Sequence, residues 1–178
     1  MKRLTFLLVL GQALAAQAAD LTPGEQIERG RYLVSISGCA DCHTPLTMGP
    51  NGPVPDSARG LSGHPQNLDM PPAPVLPAGP WLVVSSATNT AWSGPWGVSF
   101  TANLTPDPDT GLGTWREQDF VATLRTGRRL GVARPLLPPM PAAYGQMTDA
   151  DLKAMFAYLQ SLPAISNRAP APLPPAAP

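Results

Sequence analysis

Cys39-Ala40-Asp41-Cys42-His43 is the stretch of sequence that decides the fold of this chain. Two cysteines three positions apart, followed at once by a histidine, form the attachment motif of a c-type haem. Each thiol can add to one vinyl group of the same porphyrin, and the imidazole of the next residue can then reach the iron. The motif therefore predicts one covalent haem c on Cys39 and Cys42, with His43 as an axial ligand.

Three other interpretations of the paired cysteines stay open. A thioredoxin-like thiol site needs a βαβ setting, and no such pattern surrounds Cys39. A structural zinc site needs four Cys or His ligands, whereas the chain adds only His43 and His64 to its two cysteines. His43 also follows Cys42 too closely to share a metal ion with it. A simple disulfide between the cysteines is the third alternative.

Residues 1–19 have the features of a secretory signal peptide. A charged start, Lys2 and Arg3, precedes an apolar run and a cluster of small residues that suits a cleavage site. We expect cleavage after Ala18 or Ala19 and delivery of the mature protein to the periplasm. The apolar run is shorter than the roughly 20 residues that a membrane span needs, so we do not expect a membrane-spanning protein.

Composition and charge exclude some functions. The chain of 178 residues carries 12 basic and 12 acidic side chains, and removal of the signal peptide would leave a slightly negative protein. There is no basic patch of the kind that predicts nucleic-acid binding. The mature length, about 160 residues, suits a single domain.

Proline accounts for 24 residues and divides the chain into helical and irregular parts. Residues 24–37 lack proline and carry apolar residues at helical spacing, which predicts a helix leading into Cys39. Residues 44–100 are rich in Pro, Gly and Ser, which excludes a long helix. We expect them to form an irregular insertion over one edge of the haem. Its second half should be ordered around four aromatic residues: Trp81, Trp92, Trp96 and Phe100.

Two later helices have start signals. Thr114-Trp115-Arg116-Glu117 predicts a capping box, and Gly127 is a natural end for that helix. Thr148 predicts the start of the last helix, with Met147 placed to form a hydrophobic staple, and Pro163 ends it.

These elements predict an all-α chain built around one haem. The signal peptide would be followed by a cytochrome-sized helical domain over residues 20–163. Residues 164–178 are rich in Pro and Ala and are expected to be disordered.

The far face of the iron needs a second axial ligand, and Met140 is the best candidate. In Pro138-Pro139-Met140-Pro141 the prolines fix the backbone and would hold a soft sulfur atom with little loss of entropy. Other methionines fit less well, because they follow His43 closely, lie in the insertion or suit the core of the last helix: Met48, Met70, Met147 and Met155. A purely packing role for Met140 and ligation by His64 stay open.

These features together resemble class I c-type cytochromes, and more specifically the bacterial periplasmic cytochrome modules found with alcohol or sugar dehydrogenases. The matching segments cover most of residues 24–162: 30–33, 39–43, 103–107, 110–115, 124–127, 139–141, 151–152 and 158–159. The chain departs from such subunits in having one haem motif where they often have three, and in its enlarged insertion.

The resemblance implies a helical fold, covalent haem at Cys39 and Cys42, and axial ligation by His43 and Met140. It also implies that the first and last helices cross, with Gly30 against the face formed by residues 156–159.

Several other residues are candidates for contacts with the haem or the loops around it. Trp115 either lines the haem edge or packs in the core. Three arginines either pair with a haem propionate or lie solvated at a helix end: Arg125, Arg128 and Arg129. Asn103 and Thr105 are expected to make turn contacts.

The predicted function is single-electron transfer by a monohaem carrier, not an enzyme, that docks transiently on periplasmic redox partners such as a dehydrogenase or a terminal oxidase. One alternative is a haem enzyme or gas sensor with an open sixth coordination site, in which His64 or the insertion forms the pocket. A second alternative is a thiol–disulfide oxidoreductase.

Overall fold

The computed structural model describes residues 21–74, 76–77, 79–129, 131 and 134–175. The elements of the described chain are, in order, α1 (Pro23–Ile36), α2 (Cys39–His43), β1 (Leu46–Gly49), β2 (Gly52–Pro55), a 3-10 helix (Ser57–Arg59), β3 (Val84–Ser85), β4 (Ala91–Gly94), β5 (Gly97–Phe100), α3 (Glu117–Thr126), a second 3-10 helix (Ala142–Gln146) and α4 (Asp149–Gln160). The predicted signal peptide, residues 1–19, lies outside the described residues. Within the described residues, no helix has both the length and the apolar character needed to cross a membrane.

The first and last long helices, α1 and α4, pack directly against each other. Gly30 makes this approach close, because a Cβ atom there would lie 1.9 Å from the carbonyl oxygen of Ala154 and 2.8 Å from Cβ of Tyr158. An ion pair between Arg29 and Asp151 also joins the helices, with Arg29 Nε 2.9 Å from the carboxylate. The crossing that the resemblance implied is therefore present, and only glycine fits at its centre.

The hydrophobic core lies between α1, α3 and α4. Leu152 and Leu159 of α4 are buried. Burial of each leucine side chain stabilises the folded state by about 1.5–3 kcal/mol. Phe120 of α3 packs on Phe156 of α4 with ring centroids 5.5 Å apart. The apolar faces that helical spacing predicted for α1, α3 and α4 thus pack in one core.

The helix starts follow the predicted chemistry, with one shift. α4 begins at Thr148, whose hydroxyl accepts a hydrogen bond from the Asp151 amide at 3.1 Å, so that prediction is confirmed. The capping box predicted at Thr114 is two residues early, because Arg116 caps α3 and its amide donates to the Asp119 carboxylate at 3.1 Å. Asp119 thus accepts the hydrogen bond from the N-cap amide of α3, the role that was predicted for Glu117.

The prediction of an all-α chain is wrong. The structure is mixed, with 33% helix and 14% strand, and the strands lie within the segment predicted to be an irregular insertion. β1 pairs with β2 in an antiparallel hairpin, and β3, β4 and β5 form an antiparallel three-stranded sheet in that order. The insertion is therefore a small β-structure added to a helical core.

The β1–β2 hairpin shows why proline density did not prevent strands. Gly49 pairs with Gly52 across a two-residue turn, and Pro53 and Pro55 lie in β2 opposite β1. In a two-stranded sheet every strand has a free edge, so a proline that cannot donate a hydrogen bond is tolerated there. Proline excluded a helix in this segment but left short edge strands available.

The four aromatic residues of the insertion fall into two groups. Trp92 in β4 is buried, and Trp96 and Phe100 are half-buried in or beside the three-stranded sheet, as expected of an ordered segment. Trp81, in contrast, precedes the sheet and is 78% exposed. In the second half of the insertion, the buried and half-buried aromatic residues therefore belong to the three-stranded sheet, and Trp81 lies outside it.

Residues 164–178 were expected to be disordered. Residues 164–175 lie against the domain as a C-terminal strap, and residues 176–178 lie outside the described residues. Leu173 and Val98 of β5 exchange two backbone hydrogen bonds of 3.0 Å. Asn167 is buried, and its Nδ2 donates to the carbonyl oxygens of Ser62 at 2.7 Å and of His64 at 2.8 Å. Backbone pairing and one buried amide hold a segment that has little apolar surface to bury.

Candidate haem site

The attachment motif forms its own short helix, α2, directly after α1. Gly38 turns the chain between the two helices with a φ of +67°, a left-handed conformation that favours glycine. Cys39 and Cys42 are three residues apart on α2, so they lie one above the other on the same face. Both are free thiols and partly exposed. One face of α2 can therefore present two sulfur atoms to a single flat ligand.

Burial controls the ionisation of these thiols. It raises the pKa of Cys39 to about 11, and the neighbouring Cys42 and Asp41 add to the rise. Burial also raises the pKa of Cys42, again with a contribution from Asp41. Reactive thiols of the thioredoxin type have lowered pKa values, so these two cysteines differ from that class of site.

A backbone carbonyl orients the ring of His43. Nδ1 lies 2.7 Å from the carbonyl oxygen of Ala102, and because a carbonyl only accepts, Nδ1 carries the proton and donates it. Burial lowers the pKa of His43, and the Ala102 bond opposes that effect. The neutral ring therefore has its lone pair on Nε2, which is the form that binds a metal.

Gly63 allows the Ala102 carbonyl to reach His43. The Gly63 amide donates to the His43 carbonyl oxygen at 2.7 Å. A Cβ atom at Gly63 would lie 2.6 Å from the Ala102 oxygen, and φ at this residue is +80°. Both the close contact and the left-handed backbone require glycine here.

Met140 is half-buried and lies in the loop between α3 and the second 3-10 helix. Upstream of it, the hydroxyl of Ser99 in β5 donates to the Pro138 carbonyl oxygen at 2.6 Å. Downstream, the Tyr144 hydroxyl donates to the carbonyl oxygen of Ser37, which ends α1 just before α2. The Met140 loop is therefore tied both to the three-stranded sheet and to the entry of the attachment helix.

Trp115 immediately precedes α3 and is half-buried. It packs against the same buried core cluster as Cys39 and Leu104. Trp115 thus packs on the hydrophobic core, which is one of its two predicted roles, and the described contacts do not test the other.

Arg125 is occupied by other groups. It pairs with Asp149 at 2.5 Å and donates to the carbonyl oxygen of Gly145. Its guanidinium joins α3 to the start of α4, so the helix-end role is the one that these contacts favour.

His64 is fully enclosed by protein. Its Nδ1 lies 2.9 Å from the Thr90 hydroxyl, and its ring meets Phe100 edge-on with centroids 4.9 Å apart. Nε2 has no hydrogen-bond partner among the described residues. His64 has no exposed surface, whereas His43 is 9% exposed. The ring of His64 is therefore closed off from a bound group in this conformation.

The residues around α2 fit a c-type haem. Two stacked thiols, an imidazole with its Nε2 lone pair available and an apolar cluster beside Cys39 are the groups that such a ligand needs. Within the described ranges, no group of three or more His, Cys, Asp or Glu side chains is placed to hold a metal ion. The alternative of a structural zinc site therefore gains no support.

Sequence reasoning missed three residues that shape this site. Ala102 acts through its carbonyl oxygen, which every residue type provides, so no pattern could identify it. Ser99 and Tyr144 act through hydroxyl groups on partners 39 and 107 residues away. Such pairings exist only once the chain has folded.

Comparison with known proteins supports the assignment suggested by the motif. No family model matches the chain. It is 30% identical over 162 residues to the fructose dehydrogenase cytochrome subunit of Gluconobacter japonicus, a match that covers 88% of this chain and 26% of the relative. It is 30% identical over 166 residues to the cytochrome c subunit of the quinone alcohol dehydrogenase of Gluconobacter oxydans, covering 88% of this chain and 29% of the relative.

A third relative is the cytochrome c subunit of the gluconate 2-dehydrogenase of Pantoea cypripedii. It is 30% identical over 156 residues, which is 85% of this chain and 26% of the relative. The chain thus spans less than a third of the length of each of these relatives. Over most of its own length, it is a homologue of the cytochrome c subunits of bacterial dehydrogenases.

Proposed function

We propose that this protein is a periplasmic, monohaem cytochrome c that carries single electrons between redox partners. The observation that carries the proposal is the arrangement on α2. Cys39 and Cys42 share one helix face, and the ring of the adjacent His43 is fixed by Ala102 through Nδ1. The similarity to cytochrome subunits of dehydrogenases supports electron transfer as the general role.

Each residue has a distinct task in this proposal. Bound haem supplies the one-electron chemistry, and the protein supplies attachment, ligation and an apolar setting. Cys39 and Cys42 provide the thioether attachment. The Ala102 bond fixes the orientation of the His43 ring and increases the basicity of Nε2, as a second partner on a metal-binding histidine generally does.

Met140 is the proposed ligand on the other face. The loop that carries it is anchored close to the entry of α2 through Tyr144 and Ser37. His64, the competing candidate, is enclosed by protein and already engaged with Thr90. A thioether ligand raises the reduction potential relative to a second imidazole, which suits a carrier that accepts electrons from a dehydrogenase.

A dehydrogenase is the proposed electron donor, and a terminal oxidase or another cytochrome is the proposed acceptor. The relatives are named as subunits of fructose, alcohol and gluconate dehydrogenases. Contacts between such redox partners are small and short-lived, which allows one carrier to meet two partners in turn.

The proposal is tested by producing the full chain in a bacterium that matures c-type cytochromes and exports them. The periplasmic fraction should yield a red protein whose intact mass equals the processed polypeptide plus one haem, and whose pyridine haemochrome is of the c type. The Cys39→Ala, Cys42→Ala double variant should carry no covalent haem. A colourless wild-type protein with the mass of the bare polypeptide would overturn the proposal.

Carbon monoxide separates the electron carrier from a haem enzyme or gas sensor. A ferrous haem with both axial positions filled by protein should react slowly with the gas. Rapid, complete binding by the wild-type protein at neutral pH would instead show an open sixth position.

A further inference from the structure

We propose that Ser99 is a positioning residue for Met140, and that holding the sixth-ligand loop is the task of the three-stranded sheet within the insertion. This inference rests on the proposed function, since it takes Met140 as an axial ligand. It assigns a role to β3–β5, the part of the chain that the attachment motif does not explain.

The hydrogen-bonding of Ser99 has a clear direction. Its hydroxyl oxygen lies 2.6 Å from the Pro138 carbonyl oxygen and 3.4 Å from that of Trp92. A hydroxyl has one proton, and the shorter contact takes it. Trp96 Nε1 donates to the same hydroxyl oxygen at 3.3 Å. Ser99 is also buried, so Trp96 holds the hydroxyl oriented towards Pro138.

Pro138 needs this kind of anchor. A proline has no N–H, so its carbonyl oxygen is the only backbone group through which Pro138 can form a hydrogen bond. Pro139, the next residue, lacks an N–H as well. The amide of Met140 donates to the Leu137 carbonyl at 3.2 Å, a bond within the loop that does not fix the loop on the domain. The Leu136 amide ties the start of the loop to Gly127 at the end of α3 at 2.7 Å, and the Ser99 hydroxyl supplies the link to the sheet that Pro138 and Pro139 cannot make with amides of their own.

The same stretch of chain also orients the opposite ligand. Three residues after Ser99, the carbonyl of Ala102 holds His43. Between them, the amide of Thr101 donates to the Thr90 carbonyl at 3.0 Å, which ties the stretch to the start of β4. One short segment that is anchored to the sheet, residues 99–102, thus contacts both His43 and the loop that carries Met140, the two proposed ligands. Movement of this segment would displace both ligands together, whereas loss of the Ser99 hydroxyl should loosen Met140 alone.

The experiment compares Ser99→Ala with Ser99→Thr and Ser99→Val in the mature haem protein. Threonine and valine have nearly the same shape, and only threonine keeps the hydroxyl. Ser93→Ala, in β4 of the same sheet, is the matched control. The measurements are the weak far-red absorption band of ferric haem with a thioether ligand, the midpoint potential and the rate of carbon monoxide binding to the ferrous form.

Ser99→Ala and Ser99→Val should weaken the far-red band, lower the midpoint potential and speed carbon monoxide binding about three- to tenfold, the factor expected for one lost hydrogen bond. Ser99→Thr and Ser93→Ala should behave like the wild type, and covalent haem content should be unchanged throughout. Equal spectra and gas-binding rates for the Thr and Val variants would overturn the positioning role.

The Met140→His variant separates this inference from the proposed function. If Met140→His leaves the far-red band intact, ligation by Met140 itself is refuted. If Met140→His removes the band but Ser99→Val retains wild-type behaviour, the ligand assignment stands and the role of Ser99 fails.

Discussion

Tyr144 and Ser37 are 107 residues apart in the chain, yet the Tyr144 hydroxyl donates a hydrogen bond to the Ser37 carbonyl oxygen. Ser37 ends α1, and its carbonyl is one of the acceptors that a helix leaves unsatisfied at its C-terminus. The bond ties the segment after Met140 to the end of α1, one residue before Gly38 and the attachment helix. It therefore links the two halves of the proposed iron site through the polypeptide.

Replacing Tyr144 with phenylalanine should weaken this link. The loss of one hydrogen bond predicts a decrease of about 0.5–1.5 kcal/mol in the free energy of unfolding, measured by urea denaturation. The far-red thioether band of the ferric protein should also disappear at a lower temperature than in the wild type. Tyr32→Phe is the control, because Tyr32 is 58% exposed on α1 and should behave like the wild type. Identical curves for the two variants would show that the Tyr144 bond does not support the site.

Replacing Met140 with histidine should change the electronic properties of the haem without removing it. We expect loss of the far-red thioether band and a lower midpoint potential, because imidazole favours ferric iron more than a thioether does. Met48→His is the matched control, since Met48 is 78% exposed in the β1–β2 hairpin. Survival of the band in Met140→His, or its loss in Met48→His, would assign the ligand elsewhere.

Replacing Gly30 with alanine should separate α1 from α4. The added Cβ would lie 1.9 Å from the Ala154 oxygen, so the helices must move apart, and overpacking of this kind costs about 1–3 kcal/mol. This outweighs the helix-propensity gain of up to about 1 kcal/mol. Gly24→Ala in the same helix meets no atom within 4 Å and should be neutral or slightly stabilising. Equal unfolding free energies for the two variants would contradict the close crossing.

Replacing Asn167 with alanine should release the C-terminal strap. Its side-chain amide donates two bonds to the segment after the first 3-10 helix and accepts one from the Gln66 amide at 2.9 Å. Leaving these buried groups without partners predicts a loss of about 2–3 kcal/mol and faster proteolysis after residue 163. Ser166→Ala, at an exposed neighbouring position, should be unaffected. If both variants had the unfolding free energy and the proteolysis rate of the wild type, the strap would play no part in stability.

The α1–α4 ion pair predicts an acid-dependent loss of stability. Burial acts to raise the pKa of Asp151, but hydrogen bonds from Thr148 and Arg29 and the charge of Arg29 outweigh it, so the pKa lies below its ordinary value of 3.8. A carboxyl group whose folded pKa is lowered stabilises the protein above its unfolded pKa, and the contribution is lost as pH falls through the folded value. The wild type should therefore lose this contribution at a pH below about 4.

Asp151→Asn tests this dependence by chemical denaturation at several pH values. At pH 7 the variant should be less stable by up to about 1 kcal/mol, and its difference from the wild type should shrink in acid. Arg29→Gln should have a similar effect at pH 7, and the double variant should be less than additive. A wild-type advantage that stays constant from neutral pH into acid would exclude this carboxylate as the cause.

The sequence predicted the helical core well, because the signals there are local. Apolar residues at helical spacing place α1 and α4, Thr148 caps α4 and Gly127 ends α3. Each signal acts within a few residues, so tertiary structure does not change its meaning. The capping box at Thr114 failed because a second acceptable pair, Arg116 and Asp119, lies two residues on.

The insertion and the C-terminal strap were beyond local reasoning. Proline density predicted that residues 44–100 contain no long helix, and the only helix that the described residues of this range form is the 3-10 helix Ser57–Arg59, but β-pairing depends on partners that periodicity does not reveal. The strap, residues 164–175, is held by Asn167 and by pairing of Leu173 with β5. Asn103 makes the turn contact expected of it, since its side-chain oxygen accepts a hydrogen bond from the Thr105 amide at 2.9 Å. Its Nδ2 also donates to the Ile165 carbonyl at 2.7 Å, a partner in the strap.

The sequence alone determined the motif on which the proposed chemistry rests. Two thiols and an imidazole within five residues, residues 39–43, define an attachment motif whose members are neighbours by covalent connection. The tertiary structure alone decided which groups hold His43 and the segments on either side of Met140, the two proposed ligands. Ala102 reaches His43, Ser99 reaches Pro138 and Tyr144 reaches Ser37 across 39–107 residues. The reason is that the backbone carbonyl of any residue type can accept a hydrogen bond. The folded geometry therefore selects the acceptor, and the sequence does not identify it.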